Sequence, residues 1–166
     1  MGSVHPIHRF AVDRGALKGI GARLLQHERE QAFDARQLTP AERLFFQVWA
    51  SEGFSTVIFR EGQTLCSTGE VPEAAYVIIS GSVVMQGDRE SYSLGPGAVI
   101  GLAEGLCQVP AQFTARSTSL LNCKLIPMDA AIRTVARTSP GLREVFRLTI
   151  RRILGEAAPI PRWLAA

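Results

Sequence analysis

Between Gly95 and Ser117 the chain reads GPGAVIGLAEGLCQVPAQFTARS. Glycines in this stretch permit tight turns and a close backbone approach, by which main-chain N–H groups gather round an anion. Such a cradle is normally completed by one fixed cation. Arginine suits the task because its planar fork meets two phosphate oxygens at once. Yet from Pro96 to Ala115 there is neither lysine nor arginine. The polar side chains on offer are Glu104, Gln112, Thr114 and, at the far end, Arg116. Side chains alternate across a strand, so in QFTARS the residues Gln112, Thr114 and Arg116 share one side while Phe113, Ala115 and Ser117 take the other. The stretch therefore has the outline of an anion-binding turn whose cation is displaced or lost.

Other chemistries find less support. Three cysteines, Cys66, Cys107 and Cys123, are far apart and have no C-x-x-C pair or neighbouring histidine, which argues against a zinc or iron–sulfur centre. They read as buried thiols of a reducing compartment. His5, His8 and His27 all lie in the first part of the chain, whereas a metal-dependent cupin needs inward histidines on its strands. Sixteen of the 18 basic residues are arginine, but the net charge is only +3, weak support for nucleic-acid binding. No stretch approaches the roughly 20 apolar residues of a membrane span. MGSVHPIHRF lacks the apolar core of a signal peptide, so a cytoplasmic location is expected.

The elements that must position the loop follow from pattern. Residues 1 to 13 lack periodicity and read as an irregular arm. Apolar positions at Leu17, Ile20, Leu24, Leu25 and Phe33 predict a helix from Ala16 to about Ala35. Thr39, Pro40 and Glu42 supply the cap, first position and capping box of a second helix ending near Gly53. After Gly53, short segments rich in β-branched and aromatic residues (FSTVIFR, AAYVIIS, SVVMQ, SYSL, AVIGL, QFTARS and LLNCKLIP) alternate with Gly, Pro, Asp and Glu turns, the pattern of an antiparallel roll or barrel. Past Pro127 the helical period returns in MDAAIRTVAR. Ser139 and Pro140 then start a longer helix with Leu142, Val145, Phe146, Thr149, Ile150 and Ile153 on one face and Arg143, Arg147 and Arg151 on a solvated one. Two prolines in AAPIPRWLAA end it, and Trp163 is expected to pack back on the domain or on a partner.

Helix, β-roll, then two helices is the order of the cyclic-nucleotide-binding domain, and the words agree with the order. FREGQTLCSTGEVPEAAYVIISGSVVM resembles that family's entry into the roll, with turns at Gly62 and Gly69, an aromatic at Tyr76 and a strand-turn-strand at Ser80–Gly81. YSLGPGAVIG resembles the approach to its phosphate pocket. The resemblance spans about residues 39 to 155. It implies a mainly β fold with flanking helices: a double-stranded antiparallel, jelly-roll-like β-roll over about 54–127 and a C-terminal helix pair over about 128–157. Residues 1–38 would be an arm and helical extension, and 158–166 a tail.

The resemblance also implies the site. The family's turn carries a carboxylate for the ribose 2′-hydroxyl after the glycine and, some ten residues on, an arginine for the phosphate. Here Ile100 and Gly101 match, but Leu102 stands at the carboxylate position and Ala111, or Gln112 on a one-residue slip, at the arginine position. The positions equivalent to the phosphate cassette are Gly101, Leu102, Ala103, Glu104, Ala111, Gln112, Phe113, Thr114 and Arg116. Gly101–Leu102 is closer to Crp/Fnr-type sensory domains that keep the roll without a cyclic-nucleotide site.

The expected function is a non-catalytic regulatory module, without metal or resident cofactor, that does not bind cAMP in the usual way and acts through a partner or an unidentified ligand. A protein partner or a homodimer would use the N- and C-terminal helices. Direct DNA binding is not expected, since no helix-turn-helix follows the last helix. The rival readings are a genuine cAMP or cGMP sensor using Glu104 with Arg116 or Gln112 in a rearranged loop, and a cupin-like enzyme. An open polar cavity at the loop favours a ligand; a loop filled by Leu102, Leu106 and Phe113 favours protein interaction.

Overall fold

A computed structural model describes residues 10–11 and 54–165. The two helices expected over 16–35 and from Thr39 to about Gly53 lie outside the described residues.

Among the described residues, nine strands and four helices follow in the order β1 (Phe10–Ala11), β2 (Thr56–Phe59), β3 (Thr64–Cys66), β4 (Ala74–Ser80), β5 (Val83–Gln86), β6 (Ser91–Leu94), β7 (Ala98–Ile100), α1 (Leu102–Cys107), β8 (Thr114–Ser117), β9 (Leu121–Pro127), α2 (Met128–Ala136), α3 (Pro140–Leu154) and α4 (Arg162–Ala165). The strands form two antiparallel sheets, ordered β1-β7-β4-β9-β2 and β3-β8-β5-β6. This is the expected β-roll, with a helical layer after it.

The larger sheet is covered on both faces, which explains its near-continuous apolar words. From β4, Ala75 and Val77 face the helices, whereas Tyr76 and Ile78 face the roll interior. In β7, Val99 goes to the helices and Ala98 and Ile100 to the roll. Two cores result. One fills the roll around Ile78, Val83, Leu121 and Cys123; the other, around Leu106, Ile126, Phe146 and Ile150, binds α1 to α3 to the back of the sheet. The chain passes between sheets at Gly81, and β5 and β6 make the hairpin expected at QGDRES, closed by the Gly87 N–H donating to the Glu90 carbonyl at 2.9 Å.

Four details depart from the pattern reading. Residues 10–11, expected in an irregular arm, pair with β7. The short strand β3 was not among the expected segments; it pairs with β8 across an irregular register. AVIGL is strand only to Ile100. Beyond Gly101, the expected polar loop is a helix, α1, with Leu102, Ala103, Gly105, Leu106 and Cys107 buried. Gly101 before it and the low propensity of Gly105 within it hide it from local pattern; burial against α2 and α3 stabilises it instead.

Past the roll, Ser139 caps α3, its hydroxyl accepting from the Leu142 N–H at 3.4 Å. Phe146, Thr149 and Ile150 are buried, and Leu142 and Ile153 pack against the same core. Arg143, Arg147 and Arg151 are half-buried rather than fully solvated, and Arg147 pairs with Glu144 one turn back. Trp163 does pack back on this core, from α4 rather than from an irregular tail.

Candidate functional site

The turn between β7 and α1 is set by Gly101. Its φ of +81° lies in the left-handed region, and a Cβ there would meet the Ala74 carbonyl oxygen at 3.1 Å and the Pro72 Cβ at 3.3 Å. Glycine is therefore required twice over, by torsion and by space. The turn aims α1 across the end of the roll. Helix α1 ends at Gln108, whose side-chain Nε2 donates to the Gly105 carbonyl at 2.6 Å. The return segment is then tied to the turn before β4: Gly69 N–H donates to the Ala111 carbonyl at 2.8 Å, and Ala111 N–H to the Glu70 carbonyl at 2.9 Å.

Behind this loop lies a cavity of about 300 Å³ at the junction of the two cores. Met85, Tyr92, Leu94 and Ile100 line it from the roll. The turn and α1 contribute Gly101, Leu102, Ala103 and Glu104, the return loop Gln112 and Phe113. The last turn of α3 closes it with Arg152, Ile153, Leu154 and Gly155. Phe113 is held edge-on to Tyr92, ring centroids 5.2 Å apart, and lies so close to Gly87 that a Cβ there would sit 2.7 Å from its ring. On its other side is an outer hollow lined by Thr68, Asp88 and Arg89, which shares Glu90, Gln112 and Phe113 with the inner cavity.

Thus six of the nine residues singled out from sequence meet at one cavity, and three do not. Ala111 is 5% exposed and engaged through its backbone. Thr114 faces outward, its hydroxyl bonded to Thr68 at 3.1 Å through both backbone N–H and side chain. Arg116 is exposed on the outer face of β8 and does not line the cavity. The expected alternation holds within β8, where Ala115 and Ser117 are the buried pair and Arg116 faces outward, but Gln112 precedes the strand and lines the cavity together with Phe113.

Two lining residues were missed that carry charge, Glu90 and Arg152. Glu90 sits in a hairpin turn and gives no local signal. Arg152 did give one: it continues the Val145–Thr149 row along α3, at the margin of the apolar face, not in the row of Arg143, Arg147 and Arg151.

Electrostatically the cavity mixes one guanidinium with two carboxyls. Burial raises the Glu104 carboxyl above its ordinary value, so the proton is held more tightly than in water. Glu104 also neighbours two thiols, and its charge adds to burial in pushing Cys66 and Cys107 up to about 11. Cys123, inside the roll, is pushed up to about 12 by burial alone. Thiols held protonated in this way are poor nucleophiles and poor ligands. Among the described residues, no group of three or more His, Cys, Asp or Glu is placed to hold a metal ion, and no helix is long and apolar enough to cross a membrane. The arrangement is suited to holding a small molecule by an apolar wall with a few polar contacts.

The sequence profile of the cyclic nucleotide-binding domain matches residues 56–138. No curated protein matches the chain. Among solved structures, the chain is similar to the catabolite activator protein of Thermus thermophilus at 19% identity, covering 63% of this chain and 51% of that one with a TM-score of 0.53. A putative cyclic nucleotide-binding protein from Geobacter metallireducens shares 17% identity over 72% of this chain and 87% of its own, TM-score 0.52. The EAL enzyme Bd1971 in its cAMP-bound form shares 18% over 60% of this chain, TM-score 0.52, but the match spans only 28% of the enzyme. At these identities the likeness is one of fold.

Proposed function

The chain belongs to the cyclic nucleotide-binding domain family, and on that premise we propose that it is a non-catalytic sensory module whose cavity takes a small ligand other than cAMP or cGMP bound in the usual manner. The observation that carries this reading is an open cavity of about 300 Å³ beside a cassette whose two recognition positions lack the expected charges. Leu102, 2% exposed, stands where the ribose carboxylate is expected, and Ala111, 5% exposed, or Gln112 on a one-residue slip, where the phosphate arginine is expected. Leu106 packs into the helical core and does not line the cavity. A partly polar cavity of this size is at the lower end of small-ligand sites.

Losing a charged hydrogen bond costs about 1.5–3 kcal/mol, which raises a micromolar dissociation constant roughly ten- to a hundredfold. Isothermal titration of the purified protein with cAMP and with cGMP tests the reading. Weak heats fitting tens of micromolar or above, or none, are expected; a dissociation constant of about 1 μM or lower for either overturns it. Occupancy is passed on through α3, which forms one wall of the cavity and presents Leu148 on its outward side at 55% exposure. That face is where a protein partner or a second copy would read the state.

A further inference from the structure

Resting on the reading of the cavity as a ligand site, we infer that Phe113 sets the size of ligand the site accepts: its ring divides one long cleft in two and restricts the inner part to molecules the size of a single aromatic ring. The inner cavity of about 300 Å³ and the outer hollow of about 670 Å³ meet along Glu90, Gln112 and Phe113, which line both. Small-ligand sites run from about 300 to 1,000 Å³, so the inner cavity alone stands at the low end of that range and the two joined would stand near its top. One side chain decides between them.

That side chain is held from both sides. Tyr92, which lines the inner cavity, meets the Phe113 ring edge-on with centroids 5.2 Å apart. Gly87, which lines the outer hollow, lets the ring lie where a Cβ would come within 2.7 Å of its Cε1 and 2.8 Å of its Cδ1. The same sheet fixes all three positions. Met85 pairs with Tyr92 and Gln86 with Thr114, so the hairpin carrying Gly87 and the loop ending at Phe113 are tied one residue away from the contact. A ring packed in this way is a wall, because moving it forfeits both contacts. The restriction is steric and holds whatever the charge of the ligand. Arg152, which also lines the inner cavity, is already engaged in an interaction of its own. A ligand must therefore fit the space and also meet the carboxyls of Glu90 and Glu104, for which neutral molecules with hydrogen-bond donors are suitable probes.

The test is an NMR titration of the ¹⁵N-labelled full chain with two such probes, phenol and the larger adenosine. Phenol is expected to shift the inner Leu94, Leu102 and Ala103 amides of the natural protein, and adenosine to leave them unmoved. In Phe113→Ala adenosine should shift those amides together with Thr68 and Asp88 of the outer hollow, binding at least roughly tenfold tighter than to the natural protein. Phe113→Leu serves in its place if the alanine variant does not fold. Gly87→Ala keeps the ring but presses it toward Tyr92, so it should go on excluding adenosine and weaken phenol by roughly tenfold. Adenosine that reaches the inner amides in the natural protein, or fails to reach them in a folded Phe113 variant, overturns the inference on Phe113. Phenol that leaves the inner amides of the natural protein unmoved overturns instead the reading of the cavity as a ligand site.

Discussion

Gly101 is the residue on which the site turns. An alanine there would hold a left-handed φ and press its Cβ on the Ala74 carbonyl and Pro72, and the torsion alone costs about 1–2 kcal/mol. Gly101→Ala is therefore expected to lower the unfolding free energy by at least that much, measured by urea denaturation. Glu104 gives a pH signature. Its folded value lies above the ordinary 4.5, so its contribution to stability is fully present below pH 4.5 and is lost as pH rises toward the folded value. Glu104→Gln, which keeps the shape without the charge, should gain on the natural protein across that rise and match its trend below it, in denaturation midpoints taken at stepped pH. The thiols give a third test. Cys66 rises from 9.0 to about 11, so its thiolate fraction near pH 8 falls about a hundredfold. Iodoacetamide should label Cys66 in the native protein slower than in the denatured chain by at least that factor.

At the scale of elements, α1 depends on close approach to α2. A Cβ on Gly105 would meet the Met128 Cε at 2.0 Å and Sδ at 2.6 Å, so the helix sits where only glycine lets Met128 lie across it. Overpacking of this kind costs about 1–3 kcal/mol. Gly105→Ala should be destabilising by that amount, and combining it with Met128→Ala should cost less than the two changes summed, because the second removes the clash created by the first. A double-mutant cycle in chemical denaturation reads the coupling; strict additivity would show that α1 is not held in this way. Local reading of LAEGLC missed the helix for the same reason. Glycine lowers helix propensity, while the contact that demands glycine comes from a residue 23 positions further along, Met128.

For the whole molecule the decisive feature is a pair of cores that share one sheet. Phe146 is fully buried at the heart of the helical core, and truncating a buried phenylalanine to alanine costs about 3–5 kcal/mol. Phe146→Ala is expected to cost that much, measured by chemical denaturation. Leu121→Ala, in the roll core, should cost about 2–5 kcal/mol. Chemical denaturation of both variants measures the two losses, and an unmoved midpoint for either would show that its core does not hold the fold in this way.

The sequence by itself determined the layout. Turn residues and β-branched words placed most of the roll, and Ser139 with Pro140 placed the start of α3, because these signals act within a few residues and do not depend on the rest of the fold. The family resemblance also gave an expected cassette, with departures at Leu102 and at Ala111 or Gln112. What only tertiary structure decided was which groups share a space. Arg116 and Arg152 are alike in sequence terms, each a basic residue on a strand or helix with two faces. Packing turns Arg116 outward and brings Arg152, across about 50 residues of chain, to the end of α3 beside Leu102 and Glu104. That juxtaposition is created by burial of α3 on the sheet and not by any signal within a few residues.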